Sequence, residues 1–422
     1  MTDPRTACGG RHNWEVGMKR IVCLGALTLA SISVVAAGCG SSDNGSDSTT
    51  ATAESGPITV GFATAKSGFL AAFDVPAVAA AKVKIAEINA SGGLDGRKIK
   101  FVESDTKSDL AQGVTAAAEV LDKGANFVMT TCDFDFGAPI ALAAQKKNVV
   151  AMSSCAGSTK FGPSGIGPLA FTMAPAATSE GATMAEYTNE KLGYKTAYVL
   201  LDNTIDFDIQ SAYGFTQRFK QLGGTVVGQD TFKQDDQSIA SQVTRIKGLA
   251  TKPDVIYVAS YMPGSASAMK QLRNGGVDIP IAGDSTMDGD FWKDAVPNIS
   301  NVWTMAYASV FGDDPSPEVK RVITAFTKAT GKAPDYAAGF TTGYSVIEAL
   351  QRAYAKSKST DGPKLQKALE TFNNEKLLVG ATTFTPKYHI TFKREFRILK
   401  IQDGKTSFVE TWTPKVVPIP KG

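Results

Sequence analysis

Cysteine and histidine are the side chains of this 422-residue chain with the most to say about chemistry: there are five Cys and two His. Cys39 follows Ala36-Ala37-Gly38, the small-residue pattern at which a bacterial export signal is cut and the new terminal cysteine takes lipid. Ala36 stands where Leu is commoner, and an ordinary signal peptide that happens to contain a Cys is the other reading. Cys8 and Cys23 precede the cut and leave with the signal. Cys132 and Cys155 remain, 23 residues apart, each after a predicted strand. In an oxidising compartment they form a disulfide between adjacent parallel strand ends, or else stay as two buried thiols. His389 is the one histidine of the body, so a His-rich zinc site cannot be built and Ser-His chemistry has a single candidate base. A lone His is also an ordinary core or surface residue. The patterns G-x-x-x-x-G-K-[ST], H-E-x-x-H, G-x-S-x-G and G-x-G-x-x-G are missing, so no motif supports a catalyst, a metal site or a cofactor.

The parts that position these residues begin with an export signal. Lys19 and Arg20 precede the apolar run 21–30, which fades through Ser31–Val35 into the small residues before Cys39. That is the order of a secretory signal, and the run is too short and Ser-rich to span a membrane well. Met18-Lys19-Arg20 also makes a normal start, so translation from Met1 or from Met18 are both open. Residues 39–56, rich in Gly, Ser, Asp and Thr, cannot bury apolar surface and are expected to be a flexible tether. Formal charge is +3, and residues 1–38 hold +2 of it through Arg5, Arg11, Lys19 and Arg20 against Asp3 and Glu15. The near-neutral remainder has no global field for nucleic acid.

From Ile58 onward, β-rich runs alternate with helical stretches. Predicted strands are 58–62, 99–103, 126–131, 149–153, 196–201, 225–231, 255–259, 279–282 and 302–308, several apolar throughout, as in strands covered on both faces. Pro76 fits a first helical turn; Val78, Ala81, Ile85 and Ile88 share a face, and Ser91-Gly92-Gly93 stops the helix. Such alternation over this length predicts two α/β lobes with parallel sheets, and ligands in such sheets sit beyond the carboxyl ends of the strands.

The ordered set of parts resembles a known family. Ile58-Thr59-Val60-Gly61-Phe62, Ser67-Gly68 and the stretch Ala86-Glu87-Ile88-Asn89-Ala90-Ser91-Gly92-Gly93-Leu94-Asp95-Gly96-Arg97 are similar to the start of the branched-chain amino acid (leucine/isoleucine/valine) group of type I periplasmic binding proteins. Asp105, Cys132, the 149–153 strand with its small-residue loop, and Tyr261-Met262-Pro263 fall where that family has counterparts. The resemblance implies two Rossmann-like lobes with three crossings, near Met173–Thr178, Met305–Ser309 and Val379–Thr385. Lobe one is then 57–174 plus 307–380, and lobe two 175–306 plus 381–422. It implies a small molecule held between lobes that close by hinge motion and are read by an ABC permease and its ATPase. A lipid-anchored monomer on the outer face of the membrane is expected. A sensory receptor of the same fold is the runner-up, and a hydrolase using His389 the third reading.

Carried over residue by residue, the family's ligand groups become Phe73, Asp133, Cys155, Ala156, Gly157, Ser158, Phe207, Tyr261 and Asp284. Four departures stand out. The family has Ser where Asp133 stands, Thr where Gly157 stands, Tyr where Phe73 and Phe207 stand, and an ammonium-binding Glu that Asp284 approximates. Asp133 or Asp135 is equally a helix cap; core is the other reading of Phe73 and Phe207, and Asp206 and Asp208 are most simply solvated loop charges. An anion at 133 opposes a ligand carboxylate in a closed cleft, so the branched-chain amino acids are expected to bind poorly. A neutral or cationic molecule with a flat or apolar part fits better.

Overall fold

The computed structural model describes residues 55–420. The expected signal (1–38), the lipid site Cys39 and all but the end of the tether (39–56) lie outside the described residues.

The first half builds a fully parallel sheet. Its strands are β1 (Ile58–Thr64), β2 (Ile99–Asp105), β3 (Phe127–Thr130), β4 (Val150–Ser153) and β5 (Ala170–Thr172), in the order β2-β1-β3-β4-β5. Helices α1 (Ala71–Ala90), α2 (Leu110–Asp122) and α3 (Phe134–Lys146) connect them. Every residue of β1, β3 and β4 is buried, which is why those runs are apolar throughout. β5 was not among the predicted strands; three residues are too few to show a period.

Helix α1 starts at Ala71, so Pro76 lies inside it and not in its first turn. The helix is placed by Asp74. This fully buried carboxylate accepts from the amides of Ala65 (2.6 Å) and Cys132 (2.8 Å) and from the Thr131 hydroxyl. It thereby ties the ends of β1 and β3 to the first turns of α1. At the other end, Gly93 has φ +93°, and a Cβ there would come within 2.2 Å of the Arg97 carbonyl oxygen. Only glycine fits that turn.

After β5 the chain enters α4 (Ala177–Glu186), extended by a wide turn over Tyr187–Lys191, and builds a second sheet. It runs β6 (Thr196–Asp202), α5 (Asp206–Gln221), β7 (Thr225–Phe232), α6 (Ala240–Gly248), β8 (Val255–Ala259), α7 (Gly264–Asn274), β9 (Ile281–Gly283) and β10 (Val302–Ala306). Helices α8 (Pro317–Thr330), α9 (Ala337–Ser357) and α10 (Gly362–Leu369) then return to the first sheet, where α8 and α9 pack on α1 and α10 on β4. The α1–α9 contact is so close that a Cβ on Gly343 would meet the Ala77 carbonyl at 2.0 Å.

A small hairpin, β11 (Glu375–Leu377) and β12 (Gly380–Thr382), precedes β13 (Phe396–Gln402) and β14 (Lys405–Trp412), which complete the second sheet. Its order is β14-β13-β10-β9-β8-β6-β7. The strands from β7 to β10 are parallel, but β13 and β14 are antiparallel additions, a departure from wholly parallel sheets. The reason is local: Asp403 and Gly404, with φ of 52° and 72°, form the two-residue turn that joins a right-twisted hairpin. His389 is buried in the approach to this hairpin. Its ring stacks on Phe171 at 3.7 Å, Nδ1 meets the Ala170 carbonyl (2.8 Å) and Nε2 the Glu370 carboxylate (3.1 Å).

β3 and β4 are neighbours, so Cys132 and Cys155 follow adjacent parallel ends. Their Cα atoms are 5.0 Å apart and their sulfurs are joined. Closing a loop of this size stabilises by roughly 3 kcal/mol in the chain-entropy view. Both cysteines of the exported protein should therefore resist alkylation until reduced, and Cys155→Ser should lower the melting temperature. Quantitative labelling without reductant would contradict the pairing.

Candidate functional site

The carboxyl ends of both sheets face one cavity. It spans about 420 Å³ of space outside protein atoms, including solvent at its mouth. The loops after β3 and β4 contribute Cys132, Asp133 and Cys155, and the start of α1 adds Leu70 and Phe73. From the second sheet come Ile205 and Phe207 after β6, Tyr261 after β8, Ser285 and Thr286 after β9, and Tyr307 after β10. Tyr336, just before α9, closes the wall.

The structure thus brings Phe73, Asp133, Cys155, Phe207 and Tyr261 to one cavity. Phe73 belongs to both readings of it: buried against Tyr336 (5.3 Å between centroids) and Phe291 (6.0 Å), it also forms wall. Ala156, Gly157, Ser158 and Asp284 are not among the lining residues. The backbone amides of Cys155 and Ala156 are turned to the Ser153 hydroxyl (3.3 and 3.0 Å). Gly157 sits under the Phe207 ring, where a Cβ would lie 2.7 Å from two ring carbons. The missing hydroxyl at 157 and the phenyl ring at 207 are therefore one change, since a threonine and this ring cannot share the space.

Ser158 is committed to the second sheet's side. Its hydroxyl donates to Asp206, and Gln210 Nε2 donates to it at 3.0 Å. Asp206 also pairs with Lys160 (2.7 Å), and its amide donates to Asp135 Oδ2 at 3.1 Å. Asp206 and Asp208 are accordingly not solvated loop charges. The first is a clasp between the 155–160 loop, α3 and α5; the second is fully buried, with neither carboxyl oxygen partnered among the described residues. Both open α5, and amphipathic spacing in a short window did not reveal which face of that turn is covered.

Asp133 is a helix cap that also lines the cavity. It takes φ +78° and caps α3, its Oδ1 accepting the Asp135 amide at 2.7 Å. Its Oδ2 has no partner among the described residues, although the side chain is buried at 5% exposure on the cavity wall. Burial, then the charge of Asp135, pushes this carboxyl up to about 7.

Behind the opposite wall lies an acidic cluster. Glu180 of α4 is fully buried, accepts from Tyr307 Oη (2.6 Å) and the Ser285 amide (2.9 Å), and is pushed up to about 8 by burial and by Asp284. Asp284 accepts from Ser211 Oγ (2.7 Å) and Thr286 Oγ1 (2.6 Å), and burial raises it too. Asp288 accepts the amides of Ala337 and Ala338 (2.8 and 3.0 Å), capping α9 from a distance, and burial pushes it up to about 7. Sequence reasoning missed Glu180, Ser285, Thr286, Tyr307 and Tyr336. Tyr307 lay inside the over-long predicted strand 302–308, and Ser285 and Thr286 directly follow β9, which is where a search of strand ends finds them.

Two α/β layers enclosing a cavity at their strand ends define a two-lobed binding protein. The match confirms the class: residues 57–406 fit the family model described as periplasmic binding protein, and the chain belongs to that family. It is 22% identical over 356 residues to Leu/Ile/Val-binding protein homolog 3 of Brucella melitensis, covering 82% of this chain and 92% of that one. Its fold is similar to that of the branched-chain amino acid transporter substrate-binding protein from Streptococcus pneumoniae in complex with isoleucine. There the TM-score is 0.74 at 22% identity, covering 85% of this chain and all of the other. It is equally similar, with TM-score 0.74 at 17% identity and 85% and 98% coverage, to an ABC transporter solute-binding protein from R. palustris in complex with 4-hydroxybenzoate.

Asp74, Asp133, Asp288 and Glu180 all keep protons in the fold at pH values where an unfolded chain, with carboxyls near about 4, has lost them. Between about pH 4 and 8 the folded state therefore binds more protons than the unfolded one, and stability falls as pH rises through that window. The ligand-free protein should melt at a higher temperature near pH 5.5 than near pH 8 (both about). A melting temperature that climbs across this interval is the contrary result.

Proposed function

We propose that this protein captures a small molecule between its two lobes outside the cytoplasm and delivers it to an ABC permease and its ATPase. The observation that carries the reading is the cavity itself: one chamber, lined from the strand ends of both sheets, with no opening to a second site needed. Membership of the periplasmic binding protein family supports it, as do the isoleucine and 4-hydroxybenzoate held by two proteins of similar fold. The lobes are assigned as 57–174 plus 307–380 and 175–306 plus 381–422, with the three chain passages between the sheets as hinges. The Ser158–Asp206–Lys160 clasp and the Asp135–Asp206 bond are contacts that the closed form makes and the open form breaks. A binding role rather than catalysis fits the lining, and both nitrogens of His389 are engaged elsewhere. Phe73, Asp133, Cys155, Phe207 and Tyr261 are proposed to touch the ligand; Ala156, Gly157, Ser158 and Asp284 shape the walls behind them. Cys39 is proposed to carry lipid after release of 1–38, holding a monomer to the outer face of the membrane.

A metabolite panel screened by thermal shift should yield a stabilising compound, since a ligand at a hundred times its Kd stabilises by about 2.7 kcal/mol. Small-angle scattering at saturation with that compound should show a smaller radius of gyration; an unchanged radius argues against closure. Cells making the Cys39→Ala protein should release it from the membrane fraction, and continued membrane retention argues against the lipid anchor.

A further inference from the structure

The cavity's polar groups are matched to one sign of charge. No Lys, Arg or His is among the described residues that line it, and its single charged side chain is Asp133, with Oδ2 unpartnered and buried. Two hydroxyls on the opposite wall, those of Tyr307 and Thr286, have their protons engaged behind it. Tyr307 donates to Glu180, and Thr286 donates to Asp284 or to the Ser260 carbonyl (2.8 Å). Toward the cavity these oxygens offer lone pairs, and a hydroxyl in that state accepts hydrogen bonds and does not give them. Three amides of these loops are also engaged, Cys132 with Asp74, and Cys155 and Ala156 with Ser153. The remaining surface is aromatic: Phe73, Phe207, Tyr261, Tyr307 and Tyr336. Aromatic faces attract a desolvated cation, most strongly an ammonium. A buried cation needs a paired anion, and Asp133 Oδ2 is the one free to pair.

We infer that the ligand is a small organic ammonium without a carboxylate, its nitrogen held by Asp133 inside the aromatic wall and its apolar part against Leu70 and Ile205. The inference rests on the binding-protein reading above and sharpens it to a class of molecule. A zwitterionic amino acid or an aromatic acid would bring a carboxylate beside Asp133 into a chamber whose described lining holds no Lys, Arg or His to receive it.

Matched pairs isolate the carboxylate. Isoamylammonium is leucine without its carboxylate, and benzylammonium is close in shape to benzoate with the charge reversed. In calorimetry on the mature protein, each ammonium should bind at least about tenfold more tightly than its carboxylate-bearing counterpart. Asp133→Asn keeps the helix cap, because Asn caps as well as Asp, and should lose about ten- to a hundredfold in ammonium affinity while melting close to the parent. Leucine or benzoate binding as tightly as its ammonium partner overturns the inference and leaves the binding-protein reading standing. An Asp133→Asn protein that is folded and binds ammonium undiminished also overturns it. If none of the four probes binds, the ammonium class is wrong; if the wider metabolite panel also gives no shift, the binding-protein reading falls with it.

Discussion

The parallel arrangement of the central strands governs the rest of the molecule. In a parallel sheet every strand finishes on the same side, so the loops that follow collect at one edge, and two such sheets set edge to edge enclose a chamber. Those loops are turns with free backbone amides, and inside the chamber water is scarce. Buried carboxylates satisfy them: Asp74 after β1 and β3, Asp284 after β9, and Asp288 at the head of α9. Each accepts more than one hydrogen bond at once.

Many acids close together in a low-dielectric region cannot all be ionised. Burial raises Asp74, Asp133, Asp208, Asp284, Asp288 and Glu180 together, and the charge of neighbouring acids adds to the effect at Asp208, most of all from Asp284, and at Glu180, also from Asp284. At Asp74, Glu180, Asp284 and Asp288 hydroxyls and amides donate to the carboxyl groups. The same orientation shapes the chamber at Tyr307 and Thr286, whose protons are turned into the protein and whose lone pairs are left to the cavity. Selectivity by charge thus follows from how the strand ends are held together.

Shape is set by a second coupling. Phe207 lies across Gly157, and the absence of a side chain at 157 is what lets the ring reach the wall. Beside them, the clasp from Ser158 and Lys160 to Asp206 joins the two layers at the rim. Exposed ion pairs of this kind contribute little on their own, about 1 kcal/mol or less. A weak rim contact suits a contact that has to form and break.

The sequence by itself determined the α/β class, nearly all the strands that form the sheets' centres, and the positions of the strand-end loops. These follow from local periodicity and apolar runs, which are properties of neighbours in the chain. The family resemblance, not the local pattern, pointed to Phe73, Asp133 and Tyr261, and these line the cavity. The sequence did not reveal β5, the β13–β14 hairpin, or the distant residues Glu180, Tyr307 and Tyr336. Nor did it tell that Asp208 is buried and Asp206 clasped, or that Asp133 both caps a helix with one oxygen and leaves the other bare to the cavity. Only the tertiary structure decided these, because burial, the direction in which a hydroxyl gives its proton, and whether a carboxylate finds a partner depend on groups separated by tens to hundreds of residues. No window along the chain contains both members of such a pair.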